Sequence, residues 1–250
     1  MQPYAKCRLV GDHTVNRHAF TLIELLVVRA VIAILLAILT PALQVVKKQA
    51  REVVCRSNLR QYGIAGRMYL GDNDEKFPDP QRWLIAESQT IAPCDWHDAS
   101  VEADGVLWFC LTDMDVHMCP TFYGLARIMG VNHAQHDPSI PIDPQYSYSM
   151  NYYLGSGIGP AVTKSTEIKH PSEVIFFSEE NCWTIPGLSA FALNNNILWI
   201  TQGNPIDCLA TYHQVKGGDL NSGVANIVFV DGSVGTGLAE DGYDLAYPGR

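Results

Sequence analysis

Cys94, Cys110 and Cys119 share one stretch of chain with His97 and His117 and with Asp95, Asp98, Asp113 and Asp115. Thiolate, imidazole and carboxylate are the side chains that ligate zinc, and thiols in an oxidising compartment pair into disulfides. Cys94-x2-His97 and His117-x-Cys119 are not spacings of the familiar zinc modules, so disulfides are the stronger expectation. Beyond residue 19 the cysteines are Cys55, Cys94, Cys110, Cys119, Cys182 and Cys208, an even set. At least one bond is expected from Cys94, Cys110 and Cys119, with Cys182 and Cys208 as further candidates; spacing alone does not pair them. Glu179 and Glu180 have the types of an acid/base couple. Neighbours on a strand point to opposite faces, which predicts one buried cap and one solvated charge instead. Gly155-Ser156-Gly157-Ile158-Gly159 is followed by Pro160 and no βα unit, which spoils a phosphate loop. No nucleophile elbow, P-loop or dinucleotide fingerprint occurs, so no enzyme is expected.

A different kind of chemistry lies earlier. Residues 20–46 carry only Glu24 and Arg29 as charges, and roughly 20 apolar residues cross a bilayer. A carboxylate among apolar side chains needs a partner or a task. An arginine near the middle of such a helix costs about 2.5–3.5 kcal/mol on insertion scales. Glu24 and Arg29 are five positions apart, roughly 140° around a helix, so they do not share a face. A partner on another chain is the easier geometry for Arg29. Pro41 removes a backbone donor and predicts a break or kink. Further on, Leu43, Val46, Ala50, Val53, Val54, Ala65 and Met68 follow helical spacing, with Lys47, Lys48, Arg51, Glu52, Arg56 and Arg60 on other faces. Gly63, Gly66 and Gly71 are expected to weaken and then stop the helix.

The segment AFTLIELLVVRAVIAILLAILTPAL (Ala19 to Leu43) resembles the N-terminus of the type IV prepilin family, which includes pilins and type II secretion pseudopilins. The stretch Cys55 to Pro78, the Cys119-Pro120 step, the strand YSYSMNYYL and Ala225 to Val234 (ANIVFVDGSV) are similar to pseudopilin-like proteins. Residues 82–145 match loosely. The resemblance implies a leader at 1–19, cut by a prepilin peptidase between Ala19 and Phe20, with N-methylation of Phe20. It implies that Glu24 pairs with a neighbouring subunit's N-terminus and that the chain assembles with other pilin or pseudopilin subunits into a filament. It places the leader in the cytoplasm, one pass in the inner membrane, and the head in the periplasm or on the cell surface. Arg29 departs from the family pattern, where an apolar residue stands. Pseudopilin heads often hold calcium, for which Asp219, Asn221 and Asp231 supply oxygens here. No EF-hand pattern accompanies them, and turn roles account for them better.

The elements that must carry these residues follow. The long helix covers 20–71, transmembrane over about 20–43, and the head covers 72–250. Ser147 to Leu154, Glu173 to Ser178 and Asn226 to Asp231 read as strands of a small antiparallel sheet packed on the second half of the helix. The class is α+β, pilin-like. Apolar residues make up 47% of the chain and charged ones 17%, which excludes disorder. The net charge is −9, and residues 1–19 hold three of the basic groups against Asp12 alone, so the remainder is strongly acidic. A chain so acidic excludes general nucleic-acid binding. Trp83, Trp96, Trp108, Trp183 and Trp199 are expected mostly in the core. Two rivals to the filament subunit are an anchored polysaccharide or adhesion module using those tryptophans and an anchored hydrolase with a metal in the Cys/His/Asp stretch.

Overall fold

The computed structural model describes residues 21–85, 94–101, 103–133, 135–185, 187–188, 194–203 and 206–249. The chain divides into two compact units, Met1–Val46 and Lys47–Arg250.

Helix α1 runs Leu22–Asp72 and belongs to both units. Pro41 lies inside it and the helix is continuous through that position, so the predicted break is absent. Proline removes one donor, and the uninterrupted helix on either side carries the conformation across it. Thr40 Oγ1 donates to the Leu36 carbonyl at 2.6 Å one turn back. The helix closes at Leu70, whose carbonyl accepts from Asn73 N at 3.2 Å and Glu75 N at 2.9 Å. Asp74 and Glu75 take the left-handed conformation there, at φ 55° and 60°. This is a Schellman-like closure built without glycine.

Within the second unit α1 buries Cys55, Asn58, Leu59, Tyr62, Gly63, Ala65, Gly66 and Leu70. The face predicted from sequence is corrected: of its members in this unit only Ala65 is buried, while Val53 and Met68 are 67% and 56% exposed. Gly63 and Gly66 do not weaken the helix; they let it approach the sheet. A Cβ on Gly63 would stand 2.6 Å from Val228 Cγ2, and one on Gly66 would stand 2.4 Å from Phe176 Cε1. Small residues at a helix contact permit this close approach.

The sheet has the order β3-β1-β2-β4-β5, with β1 Tyr148–Asn151, β2 Ile175–Glu179, β3 Ile197–Leu198, β4 Ala225–Phe229 and β5 Val234–Gly237. All pairs are antiparallel except β1 with β3. Strands β1 and β2 are buried at every position. Strand β2 opens with Ile175, Phe176 and Phe177, whereas in β1 the buried Ser149 and Asn151 donate to Glu180 and to the Ile175 and Ala246 carbonyls. A register shift between Ile175 and Phe177 lets two consecutive rings meet α1. Phe177 packs on Tyr62 at 5.3 Å between centroids, and Phe176 fills the space over Gly66. Asp231 closes the β4–β5 hairpin: its Oδ1 accepts from Ser233 N at 2.8 Å and Oγ at 2.6 Å, beside Gly232 at φ 86°.

Helix α2 (Pro120–Met129) begins immediately after Cys119, with proline in its first turn, and buries Phe122 and Ala126. Asn58 of α1 holds the chain leading into it, donating from Nδ2 to the Asp115 and Met118 carbonyls, both at 3.1 Å. A short helix α3 (Gly242–Ala246) closes the described chain, and its Ala246 carbonyl accepts from Asn151 Nδ2 at 2.7 Å.

Candidate functional site

The first unit presents a helix whose residues from Leu22 to Val46 are all exposed. Sixteen large apolar side chains stand in this stretch, Leu22 at 80% exposure among them. Covering each would gain about 1.5–3 kcal/mol, so the helix is built for lipid or for other helices. It is the one described helix long and apolar enough to cross a membrane.

The cap of this helix was not anticipated from its sequence. Thr21 and Glu24 form a reciprocal capping box: Glu24 Oε2 accepts from Thr21 N and Oγ1, both at 2.8 Å, and Thr21 Oγ1 accepts from Glu24 N at 3.3 Å. The Thr-x-x-Glu spacing just ahead of the apolar run was the available signal. Arg29 lies on the exposed surface and forms no ion pair among the described residues. Ala19 and Phe20, the expected cleavage and methylation site, lie outside the described residues.

In the head, Cys119 bonds Cys55 of α1, with Cα atoms 4.9 Å apart. Cys55 was not among the favoured candidates, because it falls in a helical pattern far from the loop-rich stretch. Cys94, Cys110 and Cys182 remain thiols, and Cys208, also buried, stands outside that bond. Burial pushes the Cys182 thiol up to about 12.

Next to this disulfide, His213 Nε2 lies 3.5 Å from Cys119 Sγ and 3.0 Å from Glu179 Oε1. Glu179 Oε2 accepts from Asn226 N at 2.8 Å and Nδ2 at 3.1 Å. Burial alone would depress the His213 pKa, but the facing Glu179 carboxylate and its hydrogen bond raise it above the ordinary histidine value. The expected split between one buried and one solvated glutamate is corrected, because both are buried. Glu180 takes a hydrogen bond from Ser149 Oγ, and burial, with Asp207 nearby, pushes its pKa well up. Asp207 is itself raised by burial to about 7 and accepts from Trp199 N at 2.7 Å. The strand end was expected to reach water; the segment around Asp207 covers it.

The other residues singled out from sequence separate. His117 turns inward: its Nε2 donates to the Leu111 carbonyl at 2.7 Å and its Nδ1 accepts from Tyr62 OH at 2.6 Å. Burial lowers its pKa and raises that of Tyr62. Asp219 Oδ1 accepts from Asn221 N at 3.0 Å, and Asn221 Oδ1 accepts from Trp183 Nε1 at 2.9 Å. Asp219 and Asp231 thus serve turns, and the Asn221 oxygen is taken by Trp183. Trp83, Trp96 and Trp183 are buried, Trp108 packs partly buried on His117, and Trp199 stays at the surface.

Two groups of described residues bring metal-ligating atoms within 4.8 Å of one another. In Cys55, Cys119, Glu179 and His213 the sulfurs are joined to each other and are not thiolate ligands. The second group is Cys94, His97, His133 and His136. It keeps two members of the sequence-stretch candidates and adds two histidines that lie far along the chain. Burial disfavours the charged form of His97 and lowers its pKa.

Residues 15–40 match the family described as the prokaryotic N-terminal methylation motif. Over 109 residues the chain is 33% identical to the type IV wide pilus major component PilA4 of Thermus thermophilus, covering 39% of this chain and 82% of that protein. No solved structure matches.

Proposed function

The chain belongs to the type IV pilin family, and from that premise we propose that it is a structural subunit that assembles through its N-terminal helix into a pilus or type II secretion pseudopilus. The observation that carries this is the fully exposed apolar helix from Leu22 to Val46 with one acid, Glu24, in its first turn. A prepilin peptidase removes residues 1–19 and methylates Phe20. The helix then waits in the inner membrane with the head in the periplasm or at the cell surface. On assembly, apolar faces leave lipid for neighbouring helices. Glu24 sets their register, because a carboxylate in an apolar bundle is stable only against a neighbour's amine. Arg29 is offset by a carboxylate of an adjacent helix. The partners are the peptidase, further pilin subunits and the membrane; nucleic acid is not one.

Intact mass and N-terminal sequencing of membrane-extracted protein, with and without the peptidase, test the processing. A chain beginning at methylated Phe20 supports it; a chain retaining residues 1–19 in the presence of the peptidase sinks it. The role of Glu24 is separable from its cap. Glu24→Val is expected to abolish filament incorporation with membrane insertion intact, whereas Thr21→Val, which removes the capping hydroxyl and keeps the carboxylate, still assembles. Arg29→Leu changes assembly more than insertion.

A second reading, an anchored surface-binding module, rests on a cavity of about 240 Å³ in the head. Trp199, its ring centroid 4.7 Å from that of Tyr152 and tilted 32° to it, lines it with Gln81, Asn195 and Asp207. An aromatic face among polar groups suits a sugar ring. Retention of the full chain on a polysaccharide array, lost in Trp199→Ala, would favour this reading.

A further inference from the structure

We propose that Cys94, His97, His133 and His136 form a structural zinc site that locks the Cys94–His97 turn to the chain following α2. Three distances converge on one atom. His133 Nε2 lies 3.1 Å from His97 Nε2, 3.2 Å from His136 Nδ1 and 3.8 Å from Cys94 Sγ. Around a tetrahedral zinc with the usual bond lengths, neighbouring nitrogens stand about 3.3 Å apart and sulfur stands about 3.6 Å from nitrogen. The observed spacings are those of a ligand shell.

Proton counting leads to the same conclusion. The Pro141 carbonyl lies 3.0 Å from His97 Nδ1 and can only accept, so the proton of neutral His97 sits on Nδ1. His97 Nε2 therefore presents a lone pair to His133 Nε2. One imidazole nitrogen carries either one proton or one lone pair and cannot satisfy three polar neighbours. A cation at their common centre satisfies all four groups. The carbonyl partner behind His97 is the second-shell contact that orients metal-bound histidines. Behind the sulfur, Asp137 N donates to Cys94 Sγ at 3.4 Å, a second contact of the kind that orients a ligand.

The local fold supports the same grouping. The Cys94 carbonyl accepts from His97 N and Asp98 N, both at 3.0 Å, so a tight turn returns His97 to the cysteine. Cys94 and His97, like His133 and His136, are separated by two residues, and the two pairs come from segments far apart in sequence. Cys94, His97 and His133 are buried, with His136 at the rim as the entry side. Trp96 walls the site, its ring 4.6 Å from His97 and 5.7 Å from His133. Three nitrogens and one thiolate suit zinc over calcium or magnesium, which take oxygen ligands. Four protein ligands leave no open position for water, which makes the site structural and disfavours the hydrolase.

The test uses the full chain, extracted in detergent without chelator. Elemental analysis should find one zinc per chain, falling below a tenth in the double variant His97→Ala/His133→Ala. Chelation should lower the melting temperature of the wild type and leave the double variant unmoved. In case that variant misfolds, cobalt(II) is added to stripped wild-type protein. Tetrahedral visible bands and a thiolate charge-transfer band are expected, and Cys94→Ser loses only the latter. A folded wild type with no zinc and no cobalt spectrum overturns the site. So does zinc that persists in the double variant, or copper or nickel held in preference to zinc.

Discussion

Replacing Gly66 by alanine probes the contact that joins α1 to the sheet. The new methyl carbon would stand 2.4 Å from Phe176 Cε1 and 2.8 Å from Cζ. That ring has no free space in which to yield. It stacks on Phe177 at 4.4 Å and meets Phe77 edge-on at 5.4 Å, and it is fully buried. Overpacking of this kind costs about 1–3 kcal/mol. Alanine in a helix gains back about 0.5–1 kcal/mol over glycine. The net expectation is a loss of about 1–2 kcal/mol, or roughly 2–8 °C in melting temperature for a head of this size. Gly71→Ala is the internal control. It lies on the same helix with nothing within 4 Å of the added carbon, so only the propensity gain remains. Near-UV circular dichroism of the full chain in detergent follows the melt through the buried aromatics. The reasoning fails if Gly66→Ala melts at or above wild type, or if Gly71→Ala is the more damaging of the two.

Four further outcomes are expected. Cys55→Ala/Cys119→Ala opens a loop of 64 residues and should cost about 4 kcal/mol in the chain-entropy estimate, read by chemical denaturation beside alkylation mass analysis; an unchanged midpoint would remove the disulfide from the account. His213, faced by Glu179 and Glu52, has its folded pKa raised, so its stabilisation is fully present below about pH 6.5 and is lost as pH rises through the folded pKa. His213→Gln should abolish that decline in a pH series of melts, and a slope that persists in the variant would assign it elsewhere. His117 runs the opposite way, since its lowered pKa removes stability as pH falls below about 6.5. Glu180→Gln should leave the head as stable or more stable at neutral pH, because burial already favours a neutral group there, whereas Glu179→Gln, which leaves His213 without its carboxylate, should destabilise it by about 1–3 kcal/mol. Equal effects of the two substitutions would contradict this division.

The membrane-length helix, its lone acid and strands β1, β2 and β4 were legible in the sequence. Their signals are local: an apolar run of bilayer length, a charge where charge is costly, and short runs of β-branched and aromatic residues. The two-residue β3 left no such signal, and β5, Val-Gly-Thr-Gly, is too poor in large side chains to read as a strand. The tertiary structure decided what local pattern cannot. Which face of α1 is buried depends on where Val228 and Phe176 approach it, so two glycines that read as weak points became the contact surface. Cys55 has no local mark of a disulfide; it acquires one because Asn58, one turn along, holds the Asp115–Met118 segment against the helix. One of Glu179 and Glu180 reads as a solvated strand end, until Ser149 and the segment around Asp207 enclose Glu180 as well. His133 and His136 carry no meaning beside Cys94 and His97 until α2 returns the chain to that turn. Burial and coordination are set by the residues that arrive opposite, and those lie tens of positions away along the chain.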